Sequence, residues 1–366
     1  MLSWALKVAH ELHLPSALLW IQAATVFDIY YYYHEHGDYI TNKSKDETCS
    51  ISLPGLSFSL KSRDLPSFLL ASNTYTFALP SLKEQIQLLN EENNPRVLVN
   101  TVEEFELDAL REVDVGKIKM IPIGPLIPSA FLDGKDPTDN SFGGDVVRVD
   151  SKDDYIKWLD SKDEMSVVYV SFGTLAVLSK RQMEEIARAL LDSGFSFLWV
   201  IRDKKNQQQK EEVDDDELNC REELENNMNG KIVKWCSQVE VLSHRSLGCF
   251  VTHCGWNSTL ESLGSGVPMV AFPQWTDQTT NAKLIEDVWK TGVRMEHDEE
   301  AGIVKAGEIM KCLEVVMGKG EKREELRRNA KKWKSLARGA MKEGGSSHKN
   351  LSNFLDDIGF GCIGEN

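Results

Sequence analysis

The stretch GCFVTHCGWNSTLESLG, residues 248–264, decides the fold, because it passes from a strand into a helix through one glycine. The apolar run GCFVTH predicts a buried strand, and WNSTLESLG predicts a helix. Gly255 then lies at the turn between them. A strand that leads directly into a helix is typical of a parallel α/β sheet, whose ligands bind at the carboxyl ends of the strands.

The same alternation recurs on both sides of this stretch. Further strands are predicted from SVVYVSF (166–172), FLWVI (197–201), KIVKW (231–235), PMVAF (268–272) and GVRM (292–295). Helical patterns separate them, for example SKRQMEEIARALLDSG at 179–194. Six such strands predict a parallel sheet with helices on both faces. The charged insert at 203–229 has no apolar period and is predicted to be a solvated loop.

An earlier part of the chain predicts a second, smaller sheet. Three strands are expected, from PSALLWIQ (15–22), RVLVNT (96–101) and KIKMIPIGP (117–125). The glycines and prolines of residues 131–150 have the composition of a linker. We therefore expect an incomplete N-terminal domain at 1–130 and a second domain at 151–343. A helix and tail at 344–366 are expected to pack on the N-terminal domain.

Composition restricts the classes of function. The chain has 366 residues, 41% of them hydrophobic, and a net charge of −15. This acidity argues against nucleic acid as a partner, and no apolar run is long enough for a membrane span. Seven cysteines without regular spacing argue against a disulfide framework and favour the cytosol. No pattern specifies an oligomeric state.

A metal site is not expected. Cys249 and Cys254 lie close in sequence to His244 and His253, but their spacing fits no zinc motif. Cys249 is instead interpreted as a small apolar residue inside a buried strand.

The residues after the predicted strand point to an anionic ligand. Free N–H groups at the start of the helix form an anion site, and His253, Asn257 and Ser258 add donors beside them. Glu261 lies one turn further along the same helical face, where a carboxylate suits sugar hydroxyls. The ligand inferred is a phosphorylated nucleoside. The alternative is that Asn257 and Ser258 only cap the helix and that Glu261 is a surface charge.

The sequence around this helix start helps to decide between a ligand site and simple helix capping. Residues 235–278, WCSQVEVLSHRSLGCFVTHCGWNSTLESLGSGVPMVAFPQWTDQ, resemble the signature box of plant secondary-product UDP-glycosyltransferases. Other stretches also resemble family landmarks, namely SVVYVSFGT, NTVEEFE, PGLSFSLKSRDLPSF, IPIGPL and GGSSHKNLSNFLDDI. The segment LPSALLWIQAATVFDIYYYY, residues 14–33, resembles the sequences of one clade of this family. That clade contains anthocyanin 5-O-glucosyltransferases and enzymes that form glucose esters of crocetin or plant hormones.

The resemblance implies an α/β fold of the GT-B class, with two Rossmann-like domains facing across a cleft. It implies transfer of glucose with inversion from UDP-glucose to a small plant metabolite, through a phenolic hydroxyl or a carboxylate. Neither a metal nor a further cofactor is implied.

Residue roles follow from the same resemblance. Trp235 would stack on uracil, the backbone at Gln238 and Val239 would bind the base edge, and Glu261 would hold the ribose. The diphosphate would be bound by His253, Asn257, Ser258 and Thr174, and the hexose by Trp256, Asp277 and Gln278. In the family, Gln at this last position goes with glucose and His with galactose.

The chain departs from the family pattern at its start. The family's catalytic His and its partner Asp have no match, because they would precede Met1, and none of His10, His13, His34 and His36 is expected to replace the base. A signal peptide is the less favoured explanation of this start, since charged residues interrupt the apolar segment. An incomplete gene model, a short isoform and a loss of catalysis remain open as explanations of this start.

Two hypotheses therefore stand for the function: a UDP-glucose-dependent glucosyltransferase, or a catalytically silent nucleotide-sugar-binding protein.

Overall fold

A computed structural model describes most of the chain. The described residues are 3–70, 73–112, 118–132, 134, 136, 138–139, 152–202, 219–298 and 300–359. The greater part of the predicted linker at 131–150 lies outside these ranges, as do residues 203–218 of the predicted charged loop.

Helices and strands alternate along the chain. Up to residue 132 they are α1 (Ser3–Glu11), β1 (Leu18–Trp20), α2 (Ala24–Lys43), α3 (Ala78–Glu91), β2 (Arg96–Val99), α4 (Leu107–Glu112), β3 (Lys119–Pro122) and α5 (Ser129–Leu132). After residue 151 they are α6 (Lys152–Asp160), β4 (Val167–Ser171), α7 (Lys180–Ser193), β5 (Ser196–Val200), α8 (Arg221–Asn226), β6 (Gly230–Val233), α9 (Gln238–Ser243), β7 (Leu247–Thr252), α10 (Trp256–Ser265), β8 (Met269–Ala271), α11 (Gln278–Lys283), β9 (Gly292–Arg294), α12 (Ala306–Met317), α13 (Glu321–Met341) and α14 (Ser346–Asp357). Short 3₁₀ helices lie at Ser62–Asp64, Ser67–Leu69 and Glu103–Phe105, and a π-helix at Leu284–Val288.

Two compact units divide these elements. The first comprises residues 1–127, 274–283 and 335–366, and the second comprises 128–273 and 284–334. The continuous ranges predicted from sequence differ from this division, because segment 274–283 is bonded to the first unit. Ser67 N–H donates to the Thr276 carbonyl at 2.8 Å, and Thr280 Oγ1 donates to the Asp64 carbonyl at 2.7 Å.

The first unit contains a parallel sheet in the order β1-β2-β3. Its registers pair Leu19 with Leu98, and Leu98 with Ile121. The alternate strand residues Val97 and Val99 are buried. The three predicted strands of this sheet are thus present, each shorter than its apolar run.

Helix α14 contacts the last strand of this sheet. Ser347 Oγ donates to the Gly124 carbonyl at 2.6 Å, and Asn350 Nδ2 donates to the Pro122 carbonyl at 3.0 Å. The Phe354 ring lies in an apolar cluster with Ile121 and Ile123. Polar and apolar contacts together hold this helix on β3.

The second unit contains a six-stranded parallel sheet in the order β6-β5-β4-β7-β8-β9. The six predicted strands are therefore confirmed. Every residue of β4 and β7 is buried, as expected for central strands covered on both faces. Helices α7 and α12 pack on the sheet through a core that includes Leu190, Val251 and Leu313.

Local signals set the ends of α7 as the sequence predicts. Ser179 precedes the helix, and its Oγ accepts a hydrogen bond from Gln182 N–H at 3.2 Å. Gly194 follows the helix with φ at 70°, a left-handed conformation that favours glycine.

Part of the predicted loop at 203–229 is a helix, so that prediction is wrong for residues 221–226. Residues Arg221–Asn226 form α8, and Leu224 is fully buried in the core of the second unit. One leucine among charged neighbours gives no detectable helical period, which explains the error.

No helix in the described ranges is both long and apolar enough to cross a bilayer.

Candidate functional site

The turn between β7 and α10 has the predicted form. Strand β7 ends at Thr252, and α10 begins at Trp256 after Gly255. Cys254 adopts a positive φ of 63°, and its N–H donates to Thr252 Oγ1 at 3.1 Å. This tight turn brings the first N–H groups of α10 to the carboxyl edge of the sheet, where the helix dipole favours an anion.

His253 is enclosed by two glycines. A Cβ at Gly173 would lie 2.6 Å from His253 Nε2, and one at Gly255 would lie 2.5 Å from the same atom. Both positions must therefore lack a side chain for the ring to sit where it does. The ring is held between the turn that follows β4 and the turn that follows β7.

Burial makes this imidazole neutral. Desolvation lowers the pKa of His253 to about 4, against a smaller opposing effect of the Ser171 backbone. Nδ1 makes no hydrogen bond within the described residues. A neutral ring with an N–H can donate to a phosphate without carrying a buried charge.

The turns around His253 lie at the switch point of the sheet. Strand β4 lies between β5 and β7, so the chain leaves β4 towards one side and reaches β7 on the other. Open α/β sheets bind ligands at this crevice. Thr174 is exposed in the turn directly after β4, one residue beyond Gly173.

A second group of side chains connects α9 to α10. The amide Nε2 of Gln238, the first residue of α9, lies 2.9 Å from Ser258 Oγ and 2.7 Å from Glu261 Oε2. Glu261 is only 2% exposed. Its burial raises the pKa to about 7, although the bond from Gln238 lowers it in part. The carboxyl group therefore titrates near neutral pH.

Tyr169 supports this network from β4. Its hydroxyl donates to Gln238 Oε1 at 3.3 Å and lies 3.4 Å from Cys236 Sγ. Tyr155 accepts a hydrogen bond from Ser237 N–H at 3.1 Å. These bonds fix the orientation of the segment that begins α9.

The residues expected to bind the uracil base lie at the end of β6 and the start of α9. Trp235 follows β6 and is partly buried, and Gln238 and Val239 form the first turn of α9. Val239 is buried, and Gln238 beside it is partly buried.

Trp256 and Asn257 have different environments at the start of α10. The Trp256 ring is buried and lies 6.1 Å from the Trp289 ring. The Trp256 ring packs inside the second unit, whereas the family resemblance implies a contact between Trp256 and the hexose. A hexose contact at this residue would have to use its backbone N–H. Asn257 is exposed and remains accessible to a ligand.

Asp277 and Gln278 belong to the first unit. Asp277 accepts hydrogen bonds from Thr276 Oγ1 and Asn281 Nδ2, each at 2.8 Å. Gln278 Oε1 accepts from the N–H groups of Gln274 and Trp275 at 2.9 and 3.1 Å. Burial raises the pKa of Asp277, while these bonds and one from Gln22 lower it.

Within each unit, several contacts of the expected ligand residues carry no signal that the sequence analysis used. Gly173 and Gly255 enclose His253, Tyr169 orients Gln238, and Gln22 contacts Asp277. Gly173 and Gly255 are the signs in the sequence that the turns after β4 and β7 leave room for the His253 ring. Two glycines in turns are a weak signal.

The donor set suits a nucleotide. Within the described ranges, no group of three or more His, Cys, Asp and Glu residues is arranged to hold an ion. The polar groups described at the turns after β4 and β7 and at the starts of α9 and α10 include helix N–H groups, a neutral imidazole, an amide and a carboxyl group. They match a diphosphate and a ribose.

Comparisons with known proteins agree with this arrangement. The family model of UDP-glucoronosyl and UDP-glucosyl transferases matches residues 144–325. Phloretin 4'-O-glucosyltransferase of Malus domestica is 60% identical over 98% of this chain and 75% of that protein. Crocetin glucosyltransferase of Gardenia jasminoides is 58% identical, over the whole of this chain and 76% of that protein.

Solved structures show the same fold. The UDP complex of Os79 from O. sativa superposes with a TM-score of 0.82 at 32% identity, covering 98% of this chain and 76% of that one. The fold and the site therefore define a UDP-sugar-dependent glycosyltransferase of the GT-B class, as the sequence predicted. The chain belongs to the family of UDP-glucoronosyl and UDP-glucosyl transferases, among its plant glucosyltransferases.

Proposed function

We propose that this protein transfers glucose from UDP-glucose to a hydroxyl group of a small phenolic plant metabolite. The observation that carries the proposal is the buried Gln238–Glu261 pair beside the start of α10, where His253 is neutral. This arrangement offers one acceptor for ribose hydroxyls and several donors for a diphosphate. The relatives that are named for phloretin and for anthocyanidin 3-O-glucoside support a phenolic hydroxyl acceptor, and the relative that is named for crocetin keeps a carboxylate acceptor as the alternative.

The nucleotide would be held by the second unit. Trp235 stacks on uracil, the backbone at Gln238 and Val239 binds its edge, and ionised Glu261 accepts from the ribose. The diphosphate lies at the start of α10, with Asn257, Ser258 and Thr174 around it.

The transfer itself is a single displacement. The oxygen of the acceptor hydroxyl attacks C1 of the glucose while the bond from C1 to the diphosphate oxygen breaks, UDP leaves with the electron pair, and the hydroxyl proton passes to solvent water. His253 and the N-terminus of α10 stabilise the charge that grows on the diphosphate. We assign no general base among the described residues. A cofactor is not part of this reaction.

Hexose recognition falls to Asp277 and Gln278. A carboxylate and an amide offer both acceptors and donors to a polyol. Since Gln278 Oε1 is occupied by two backbone N–H groups, its Nε2 is the group left for a sugar hydroxyl. We propose that glucose is preferred over galactose.

An aromatic cluster next to these residues favours a flat acceptor. The Trp275 ring lies 5.1 Å from Tyr75 and 6.5 Å from Phe68, all within the first unit. Tyr75 and Phe77 are exposed, and their rings are 6.1 Å apart. Exposed rings beside the hexose residues provide a surface on which an aromatic acceptor can stack.

The silent-binding hypothesis is not favoured, because the similar proteins include glucosyltransferases at 51–60% identity. We also place the protein in the cytosol, on the grounds of its cysteine usage.

A turnover assay tests the proposal. The full chain is incubated with phloretin and either UDP-glucose or UDP-galactose, and the glycoside is measured by mass spectrometry. Product from UDP-glucose at several times the rate from UDP-galactose is expected, and Gln278→His should narrow that ratio. Absence of product, together with normal UDP binding, would favour the silent-binding hypothesis instead.

A further inference from the structure

The loop between β4 and α7 exposes two aliphatic side chains. Leu175 is 72% exposed and Val177 is 61% exposed. Among the described residues of the second unit, Met228 is the one other large apolar side chain with comparable exposure. Single apolar side chains on a surface are ordinary, but two within three positions form a small patch. No step of the proposed reaction assigns a role to this patch.

The loop is anchored, so these two side chains keep their outward direction. Ala176 and Leu178 pack against the core of the second unit, and they alternate with the two exposed residues. The next residue, Ser179, caps α7 through its hydroxyl oxygen. Because the intervening residues are held in the core, Leu175 and Val177 cannot turn inward without displacing them.

The loop begins at the expected diphosphate site. Gly173 lies against the His253 ring, where an added Cβ would be 2.6 Å from Nε2. Thr174, an expected diphosphate ligand, follows and is exposed. Since consecutive Cα atoms are about 3.8 Å apart, the Cα atom of Leu175 lies within about 8 Å of that of Gly173. The exposed aliphatic residues therefore adjoin the place where the leaving group of the reaction is expected.

The proposed reaction brings the acceptor to the same place. Glucose C1 is bonded to a diphosphate oxygen, and the attacking oxygen must come within about 3.5 Å of C1. The ring system of the acceptor is joined to that oxygen, so it extends over the surface beside the diphosphate. Residues 173–178, GTLAVL, include no charged side chain that this contact would desolvate. The hydrophobic effect favours contact between a phenolic ring system and aliphatic side chains.

We propose that Leu175 and Val177 contact the ring system of the acceptor and make the site selective for apolar acceptors. This inference rests on the proposed transfer of glucose to a phenolic hydroxyl, and it adds two residues that determine which acceptors are used. Neither side chain takes part in the displacement. Their replacement should therefore change the KM for the acceptor and leave kcat and UDP binding nearly unchanged.

The test replaces the two side chains by polar ones of similar size in the variant Leu175→Asn/Val177→Thr. KM and kcat are measured with phloretin at saturating UDP-glucose, and UDP affinity is measured by calorimetry. We expect the KM for phloretin to rise at least tenfold, with kcat within threefold of wild type and an unchanged UDP affinity. The two single variants should each show part of the increase, and they replace the double variant if it does not fold.

Two controls separate apolar contact from other effects. Met228→Gln makes a similar change at a residue that is 89% exposed between α8 and β6, and it should keep the wild-type KM. Leu175→Met/Val177→Ile keeps the loop apolar and should keep the KM within about threefold. The proposal is overturned if either control raises the KM as much as the polar variant does. It is also overturned if UDP affinity falls together with phloretin affinity.

A binding measurement separates this inference from the proposed function. Phloretin is titrated into the UDP complex of each chain with no glucose donor present, and the polar double variant should bind it at least tenfold more weakly. If wild type binds phloretin but forms no glucoside, the proposed function fails and this comparison alone decides the role of the loop. If wild type forms the glucoside and the polar variant keeps its KM, the proposed function stands and the role of the loop is refuted. Absence of phloretin binding to wild type would overturn the inference as well.

Discussion

The amide of Gln238 donates to the carboxyl group of Glu261, with Nε2 2.7 Å from Oε2, and so joins the first turn of α9 to the second turn of α10. The two residues are 23 positions apart, and Glu261 is buried. A buried carboxyl group with one donor retains acceptor capacity for a ligand. This relationship is the basis of the proposed ribose site.

We expect Glu261→Gln to weaken UDP-glucose binding at pH 8 by about 1–3 kcal/mol, because the ionised carboxylate is the stronger acceptor. The pKa of Glu261 is raised to about 7, so wild-type affinity should increase by about tenfold from pH 6 to pH 8. Calorimetry at several pH values measures both effects.

The matched control for this prediction is Glu164→Gln, which changes an exposed carboxylate of the same unit. The control should keep the wild-type affinity and pH profile. A Glu261→Gln variant with the same pH profile as wild type would remove Glu261 from the ribose site.

Stability should respond to pH through two opposing groups. Glu261 has its pKa raised from 4.5 to about 7, so the folded state binds more protons across this window and the free energy of unfolding falls as pH rises. His253 has its pKa lowered from 6.5 to about 4, so the unfolded state binds more protons and the free energy of unfolding rises from pH 4 to 6.5. In wild type the two effects largely cancel.

Glu261→Gln should uncover the contribution of His253. Relative to wild type, the free energy of unfolding of the variant should rise by up to about 3 kcal/mol more between pH 4 and 6.5. Hydrogen exchange of β7 amides reports this unit. Adding His253→Gln should abolish the extra slope, and a variant that keeps the wild-type slope would contradict the opposing titrations.

Gly255→Ala should impair the anion site without unfolding the protein. The backbone at Gly255, with φ −59° and ψ 143°, suits alanine, but the new Cβ would lie 2.5 Å from His253 Nε2 and displace the ring. We expect UDP affinity to fall at least tenfold while the thermal midpoint changes little. Gly307→Ala, in open space on α12, is the control. Full UDP affinity in Gly255→Ala would show that the ring position is unimportant.

Glu106 should stabilise the first unit by capping α2. Its carboxyl group accepts from the N–H groups of Ala24 and Thr25 and from the hydroxyls of Thr25 and Thr101, at 2.6–3.0 Å. Glu106→Ala leaves these buried donors unsatisfied and should lower the stability of α2 by about 1–3 kcal/mol. Hydrogen exchange of Val26–Tyr30 measures the loss. Glu103→Ala is the control, and equal protection in both variants would refute the capping role.

Strand positions could be predicted because β-branched runs and helical periods alternate regularly in residues 166–295. The ends of helices that depend on tertiary contacts could not be predicted from the sequence. The pattern VEEFELDALREV at residues 102–113 predicts a single helix. The structure divides it into Glu103–Phe105 and α4, because Glu106 between them turns inward to cap α2. The kink of α2 at His36 lies beside Gly37, but one glycine inside a helical pattern does not by itself predict a kink.

The residues expected to bind UDP-glucose were predicted mainly from the resemblance to the glycosyltransferase family. A histidine, an amide and a carboxylate near the start of a helix are each common and do not by themselves predict a nucleotide site. Their protonation could not be predicted. The pKa values of His253 and Glu261 follow from burial, which depends on strands distant in sequence. The inward packing of Trp256 against Trp289 depends on the same long-range contacts.

The most direct test of the central claim is a calorimetric titration of the full chain with UDP in EDTA. The claim is that the second unit holds the nucleotide through helix N–H groups, His253 and the Gln238–Glu261 pair, without a metal ion. We predict binding in EDTA that added magnesium does not strengthen and that Glu261→Gln and Gly255→Ala both weaken. No binding in EDTA, with binding restored by magnesium, would contradict the account.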